Sequence, residues 1–309
     1  MDVRFSGPPQ TVLVTGATGF LGGVLLPALQ ASGHRVIALA RHPAKAQRAF
    51  GPKVRAIGAL AELAPDTPVD VVINLAGARI LGPRWSARRK AELQRSRTGL
   101  TQGVVDWIAA AASKPRLMIS ASAIGYYGIQ PQDSEQALTE ASPPQAIFMS
   151  RLCQEWEAAA RRVHEYGVPV AVTRFGVVFG HGGALAPMLL PIRLGLGGRM
   201  GSGRQRMSWI HIEDWLRAMA HVWHLGAAAD GAWNFTAPEA PTQYRFACTA
   251  AALLHRPCRL PTPAWPMRLL LGEQADLLLE GQNVAPAHLL RSGFTFRYPT
   301  LAEALRDLL

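Results

Sequence analysis

The sequence predicts an α/β protein built on a doubly wound parallel sheet, with a smaller mixed C-terminal lobe. Three observations predict it. A β-branched run at 11–15 leads into glycines at 16, 19 and 22, then a helical run and a second apolar run at 36–40. Apolar runs and helical patterns go on alternating as far as residue 174. Beyond Gly176 the texture changes to clustered glycines at 180, 182, 183, 195, 197, 198, 201 and 203.

The first unit sets the rest. Strand, glycine turn, helix and strand in that order form the context of a dinucleotide-binding, Rossmann-like turn. Gly16 permits the tight turn, Gly19 lets backbone approach a pyrophosphate, and Gly22 lets the helix pack close to the strand. The whole turn, Gly16, Ala17, Thr18, Gly19, Phe20, Leu21 and Gly22, is the expected phosphate cradle. There the helix amino terminus offers unpaired N–H groups and a partial positive charge.

The second strand selects the cofactor. An NAD site places a carboxylate near its end to hold the ribose 2′-hydroxyl. Here the end reads Leu39, Ala40, Arg41, His42, Pro43, with no acid. A guanidinium suits a 2′-phosphate, so Arg41 points to NADP(H).

The remaining elements follow in order. Residues 44–50 read as a short helix, 53–57 as a third strand and 70–77 as a fourth ending in small residues. Strand carboxyl ends line the ligand crevice of such a sheet, so Asn74, Leu75, Ala76 and Gly77 are expected along the cofactor. Residues 86–112 read as one long helical run, basic in its first half, from which Arg97 could reach a phosphate. A fifth strand at 115–120, a helix at 146–166 and a sixth strand at 168–174 complete the alternation. Ser120 and Arg174, near the ends of those strands, join the expected cofactor contacts. A dinucleotide-binding domain over 1–175 and a substrate lobe over 176–309 are expected, with about 208–236 returning to the first. Residues 231–236 read as a further strand, and the glycine-rich loops suit a lobe closing over a small-molecule substrate.

Bulk properties exclude several classes. The chain has 309 residues, 49% of them hydrophobic, and no apolar run of the ~18 residues a spanning helix needs. Cys153, Cys248 and Cys258 form no paired framework and no metal-ligand spacing, which suits a reducing cytoplasm and no metal. The net charge of +11 is spread along the chain apart from a cluster at 84–97, with no nucleic-acid-binding signature. A small molecule is therefore the expected partner, rather than a nucleic acid or a membrane.

The glycine spacing after Thr15 resembles the short-chain dehydrogenase/reductase superfamily, in its extended, epimerase-like branch. Residues 120–128, 201–211 (GSGRQRMSWIH), 269–273, 278–282 and 293–299 (GFTFRYP) narrow the resemblance to an "epimerase family" subgroup with its own C-terminal domain. The superfamily does hydride chemistry with Tyr-x-x-x-Lys on a helix and a Ser or Thr ending the fifth strand. The tyrosine exchanges a proton, the lysine one turn away lowers its pKa, and the serine steadies the substrate oxygen. In this sequence the places of that pair hold Phe148 and Leu152, and no other Tyr-x-x-x-Lys exists. Phe148 cannot transfer a proton and Leu152 cannot tune a pKa, so the usual mechanism does not carry over.

Other groups are candidates for the lost role. Counting back from Gly128 lands on Ala123, or on Ser122 if the turn holds one extra residue; Ser122 is taken as the serine equivalent. Tyr126 and Tyr127 sit on the right turn, as proton donors or as rings filling space. His211 between isoleucines reads as a structural histidine, Cys153 as a small core residue, and Glu157 as an exposed helical carboxylate. Two functions remain: an NADP(H)-dependent oxidoreductase or epimerase-like enzyme with a non-standard proton relay, or an NADP(H)-binding sensor or scaffold without chemistry. A nucleotide sugar is the substrate the fold suggests by analogy, with a carbonyl compound as the alternative.

Overall fold

A computed structural model describes residues 3–309. The first half of the chain runs β1 (Thr11–Thr15), α1 (Phe20–Ala31), β2 (Arg35–Leu39), α2 (Pro43–Phe50), β3 (Val54–Ile57) and β4 (Val71–Asn74). It continues through α3 (Ala87–Gln94), α4 (Leu100–Ala110), β5 (Leu117–Ala123), α5 (Phe148–Arg161) and β6 (Val170–Phe175). The helical run expected at 86–112 is α3 and α4 joined by a π-turn at Arg95–Gly99. The fifth strand extends to Ala123 because Ala121, Ser122 and Ala123 stay in register with Thr173, Arg174 and Phe175.

After β6 come β7 (Val177–Gly180), β8 (Gly182–Gly183), α6 (Leu185–Arg193), β9 (Trp209–His211), α7 (Ile212–Leu225) and β10 (Gly231–Phe235). The carboxyl-terminal part is helical: α8 (Gln243–Leu253), α9 (Ala264–Leu271), α10 (Asp276–Leu279), α11 (Ala287–Arg291) and α12 (Leu301–Leu308).

Seven strands form one parallel sheet in the order β10-β6-β5-β4-β1-β2-β3. The order reverses between β1 and β4, and the crevice at that switch point is where such sheets bind ligands. Alternation splits β1 between two cores, which is why its three central residues are all apolar. Val12 and Val14 join Leu25, Trp215 and Trp223 on the α1 and α7 side. Leu13 joins Val104, Ile108 and Val163 on the α4 side. A separate three-stranded sheet, β8-β7-β9, sits over a third core in which Phe179 stacks on Trp209 at 5.2 Å.

Candidate cofactor and active site

The glycine turn is built by contact. A Cβ on Gly16 would lie 2.9 Å from the backbone of Leu75 and Ala76, and Gly16 has φ +70°. A Cβ on Gly22 would lie 2.5 Å from the Gly16 carbonyl. Only glycine lets α1 start this close to the ends of β1 and β4. The α1 N-cap is Gly19, with no side-chain cap and no acid in the first turn. The amides of Phe20, Leu21 and Gly22 precede the first intrahelical bond, which Gly23 donates to Gly19 at 2.9 Å. Ala17 and Gly22 are buried, whereas Thr18 and Gly19 face solvent. The Phe20 ring serves another purpose: Gly180, Gly182 and Gly183 lie against it, so β7 and β8 pack on the turn through their missing side chains.

Arg41 lies just beyond β2, exposed, with no ion pair or hydrogen bond from its side chain among the described residues. Leu75 and Ala76 follow β4, their amides donating to the Thr15 carbonyl (3.3 Å) and the Thr15 hydroxyl (3.1 Å). Gly77 is exposed, and a Cβ there would come within 3.3 Å of the Arg97 guanidinium. Arg97 is already engaged. It donates to the carbonyls of Leu93 (3.2 Å) and Ala78 (2.9 Å) and lies over the Trp156 ring at 5.3 Å. Burial lowers its pKa. Arg97 thus shapes the crevice wall and does not reach out as a free phosphate ligand.

Ser120 is a correction. It is fully buried, and its hydroxyl accepts from Asn74 Nδ2 at 3.3 Å. Asn74 is the hub: it accepts from Thr15 Oγ1 at 2.7 Å and donates to Thr101 Oγ1 at 2.8 Å. Trp156 Nε1 donates to the same Thr101 oxygen. This network satisfies the interior of the sheet beneath the crevice, so neither Ser120 nor Asn74 presents a polar group to a ligand.

Arg174 is a second correction. It is 2% exposed, and its guanidinium is held by protein. Nε and Nη2 make a bidentate pair with the two Glu157 oxygens at 2.8 and 2.9 Å. Nη1 donates to the Tyr127 hydroxyl at 2.9 Å and to the Glu140 carbonyl at 3.3 Å. Burial alone would lower the Arg174 pKa; the hydrogen bonds and charge of Glu157 outweigh it and raise it.

The same network absorbs two candidate catalytic residues. Ser122 Oγ donates to Glu157 Oε1 at 2.8 Å and is 2% exposed. Tyr127 donates to Asn234 Oδ1 at 2.7 Å, and burial pushes its pKa up to about 12. Glu157 is itself 1% exposed, contrary to the expectation of a solvated carboxylate. Its place was legible: Met149, Cys153, Trp156 and Ala160 lie on its helical face, and all are buried. Cys153 is buried as expected, its thiol pushed up to about 12 by burial, then by Glu157.

Tyr126 stands apart. It is half-buried on the turn after β5, its ring 3.5 Å from the Arg174 guanidinium. Its hydroxyl makes no hydrogen bond to any described residue. The places of the missing dyad are apolar. Phe148 packs edge-on to Trp85 at 5.0 Å with Lys90 Nζ over its ring at 4.7 Å. Leu152 is buried with Trp85, Leu93 and Met149. No group of three or more His, Cys, Asp or Glu able to hold a metal occurs among the described residues.

A parallel sheet reversing at β1 and β4, with an uncapped helix over the switch point, defines a nucleotide-binding protein of the extended short-chain dehydrogenase type. The chain belongs to the NAD dependent epimerase/dehydratase family, whose model matches residues 12–236; a domain of unknown function, DUF1731, matches 262–308. The epimerase family protein SSP1921 of Staphylococcus saprophyticus is 36% identical, covering 96% of this chain and 98% of that one. The chloroplastic SDR39U1 homologue of Arabidopsis thaliana is 36% identical, covering 97% and 86%. The crystal structure of human epimerase family protein SDR39U1 with NADPH aligns at a TM-score of 0.86 and 37% identity, covering 96% of this chain and 98% of that one. No helix among the described residues is long and apolar enough to cross a membrane.

Proposed function

We propose that the chain is an NADP(H)-dependent oxidoreductase or epimerase-like enzyme acting on a small molecule, a nucleotide sugar or a carbonyl compound. The observation that carries the cofactor choice is the pairing of an uncapped, glycine-flanked α1 terminus with an unengaged Arg41 at the end of β2. That the human SDR39U1 crystal structure contains NADPH supports the same reading. The amides at 20–22 take the pyrophosphate, Arg41 takes the 2′-phosphate, and the backbone of Leu75, Ala76 and Gly77 runs along the cofactor. Bound NADPH supplies a hydride; the chain supplies position and a proton. Tyr126 is the proton donor of this scheme, since Ser122 and Tyr127 already give their protons to Glu157 and Asn234. Phe148 and Leu152 exclude water where the dyad would sit.

That apolar filling also favours a second reading, an NADP(H)-binding sensor without turnover. One set of measurements separates them. Fluorescence titration should show Arg41→Ala weakening NADPH by about 10- to 100-fold, the loss of a charged hydrogen-bonded pair, while NADH binding holds. Equal losses for both would remove the 2′-phosphate assignment. NADPH oxidation is then followed against carbonyl compounds and nucleotide sugars. Turnover that disappears in Tyr126→Phe with NADPH affinity retained supports the enzyme, and binding without turnover across the panel leaves the sensor.

A further inference from the structure

Most of the exposed apolar surface of this chain lies in segments that carry arginine and no acid. Of eleven exposed large hydrophobic side chains, eight lie between residues 190 and 270. The segments 181–212 and 240–272 contain eight arginines and not one aspartate or glutamate. Backbone bridges Gly197 to Cys258 and Met200 to Thr262 join these segments side by side. A Cβ on Gly201 would touch Ala264, the first residue of α9.

Helix α9 is the centre of this face. Its sequence, AWPMRLLL, has no buried residue. Trp265 is 69% exposed, Leu269 68% and Leu270 72%. Trp265 and Leu269 sit one turn apart. The helix is fixed from behind: Arg268 pairs with Asp276 (3.0 Å) and Glu280 (2.7 Å) on and beside α10. The two bridged segments that lead into it carry the exposed Leu194, Leu196 and Leu260. Among them stand Arg193, Arg199, Arg256 and Arg259, exposed and without an ion pair or side-chain hydrogen bond among the described residues.

We propose that this face, centred on α9, binds the surface of an anionic phospholipid bilayer. Tryptophan and leucine interleaved with arginine on a short surface helix is the composition of interfacial anchors, where the rings and aliphatic chains enter the headgroup boundary. The unpaired arginines meet phosphate or carboxylate headgroups, and the acids that follow α9, Glu273, Asp276 and Glu280, are already paired with Lys90 and Arg268. A second copy of the chain fits less well, because a self-paired face brings these cations together. The expectation of no membrane partner rested on the absence of a spanning run; an anchor that lies on the bilayer needs none.

Co-sedimentation of the full chain with sucrose-loaded vesicles tests this. With about 30% phosphatidylglycerol in phosphatidylcholine, partitioning should exceed that onto pure phosphatidylcholine at least about tenfold near 0.1 M salt, and fall towards 0.5 M. Trp265→Ser/Leu269→Ser/Leu270→Ser should lower partitioning at least about tenfold with unchanged NADPH affinity and thermal midpoint. Arg256→Ser/Arg259→Ser should remove most of the dependence on phosphatidylglycerol. Equal partitioning onto both vesicles, no partitioning, or variants that bind like the wild type overturns the proposal. So does a wild-type dimer, seen by sedimentation equilibrium without vesicles, that the triple substitution dissolves; the face then belongs to a second copy.

Discussion

A single carboxylate, Glu157, holds the ends of two strands and a helix together. It accepts from Ser122 on β5, from Arg174 on β6 and, at 2.9 Å, from Arg161 one turn along α5. Its side chain is fully buried and that of Arg174 is 2% exposed, so solvent screens the pair little. Removing one partner leaves an uncompensated charge in the core, whereas removing both leaves space that apolar atoms can fill. Glu157→Leu should therefore cost about 3–5 kcal/mol of stability, read from urea unfolding. Glu157→Met/Arg174→Met should cost clearly less than the single substitution. A double variant as unstable as the single one would show that packing volume, and not the buried charge, sets the cost.

Short-range features of the elements were legible in the sequence, and long-range pairings were not. The glycine turn has a fixed local spacing, with Gly22 packed on the backbone of Gly16 and Ala17, so spacing located it, although the close approach of Gly16 to Leu75 and Ala76 spans the sheet. The loss of the dyad was equally plain, since Phe148 and Leu152 occupy one helix face and pack into one apolar cluster. Ser122 and Arg174 were misassigned because their partner is 35 and 17 positions away, and the Tyr127 partner, Asn234, is 107 away. The packing of α5 on β5 and β6, and the return of β10 beside β6, bring them together.

The entry into α7 shows such a coupling. His211 Nδ1 accepts the Glu213 amide at 3.1 Å as the N-cap, so the neutral ring carries its proton on Nε2, which lies 3.3 Å from Asp307 on α12. Burial lowers its pKa below 6.5, outweighing the opposing pull of Asp307, Asp214 and Glu213. Between the folded value and 6.5 the unfolded chain binds the extra proton and the folded chain does not. Stability is thus intact above 6.5 and declines as the pH drops below it. Thermal midpoints followed from about pH 7 to about pH 5 should fall more steeply for the wild type than for His211→Asn, which keeps a cap acceptor and cannot titrate. Parallel curves would exclude His211 as a source of the dependence.

At the scale of the whole molecule, the chain does not fold as two beads. β10 pairs along its full length with β6 from Ala171 to Phe175, far past the end of the first six strands in sequence. Leu289 and Phe294, near the carboxyl terminus, share the core of Val12, Val14 and Leu25. Glu140 Oε1 accepts from the amides of both Asn234 (3.0 Å) and His288 (3.1 Å), clamping β10 and α11 to the loop before α5. A fragment ending at residue 175 would expose the whole apolar edge of β6, leave Tyr127 without Asn234 and strip the α7 side of the sheet bare. We expect that fragment to lack a cooperative thermal transition and to bind no NADPH. In the intact chain, far-ultraviolet dichroism and bound-NADPH fluorescence should lose their signals at the same urea concentration, since one continuous core carries both. A fragment over 1–175 that melts cooperatively and binds NADPH would show instead that the returning strand and the carboxyl-terminal helices only cover a domain already complete.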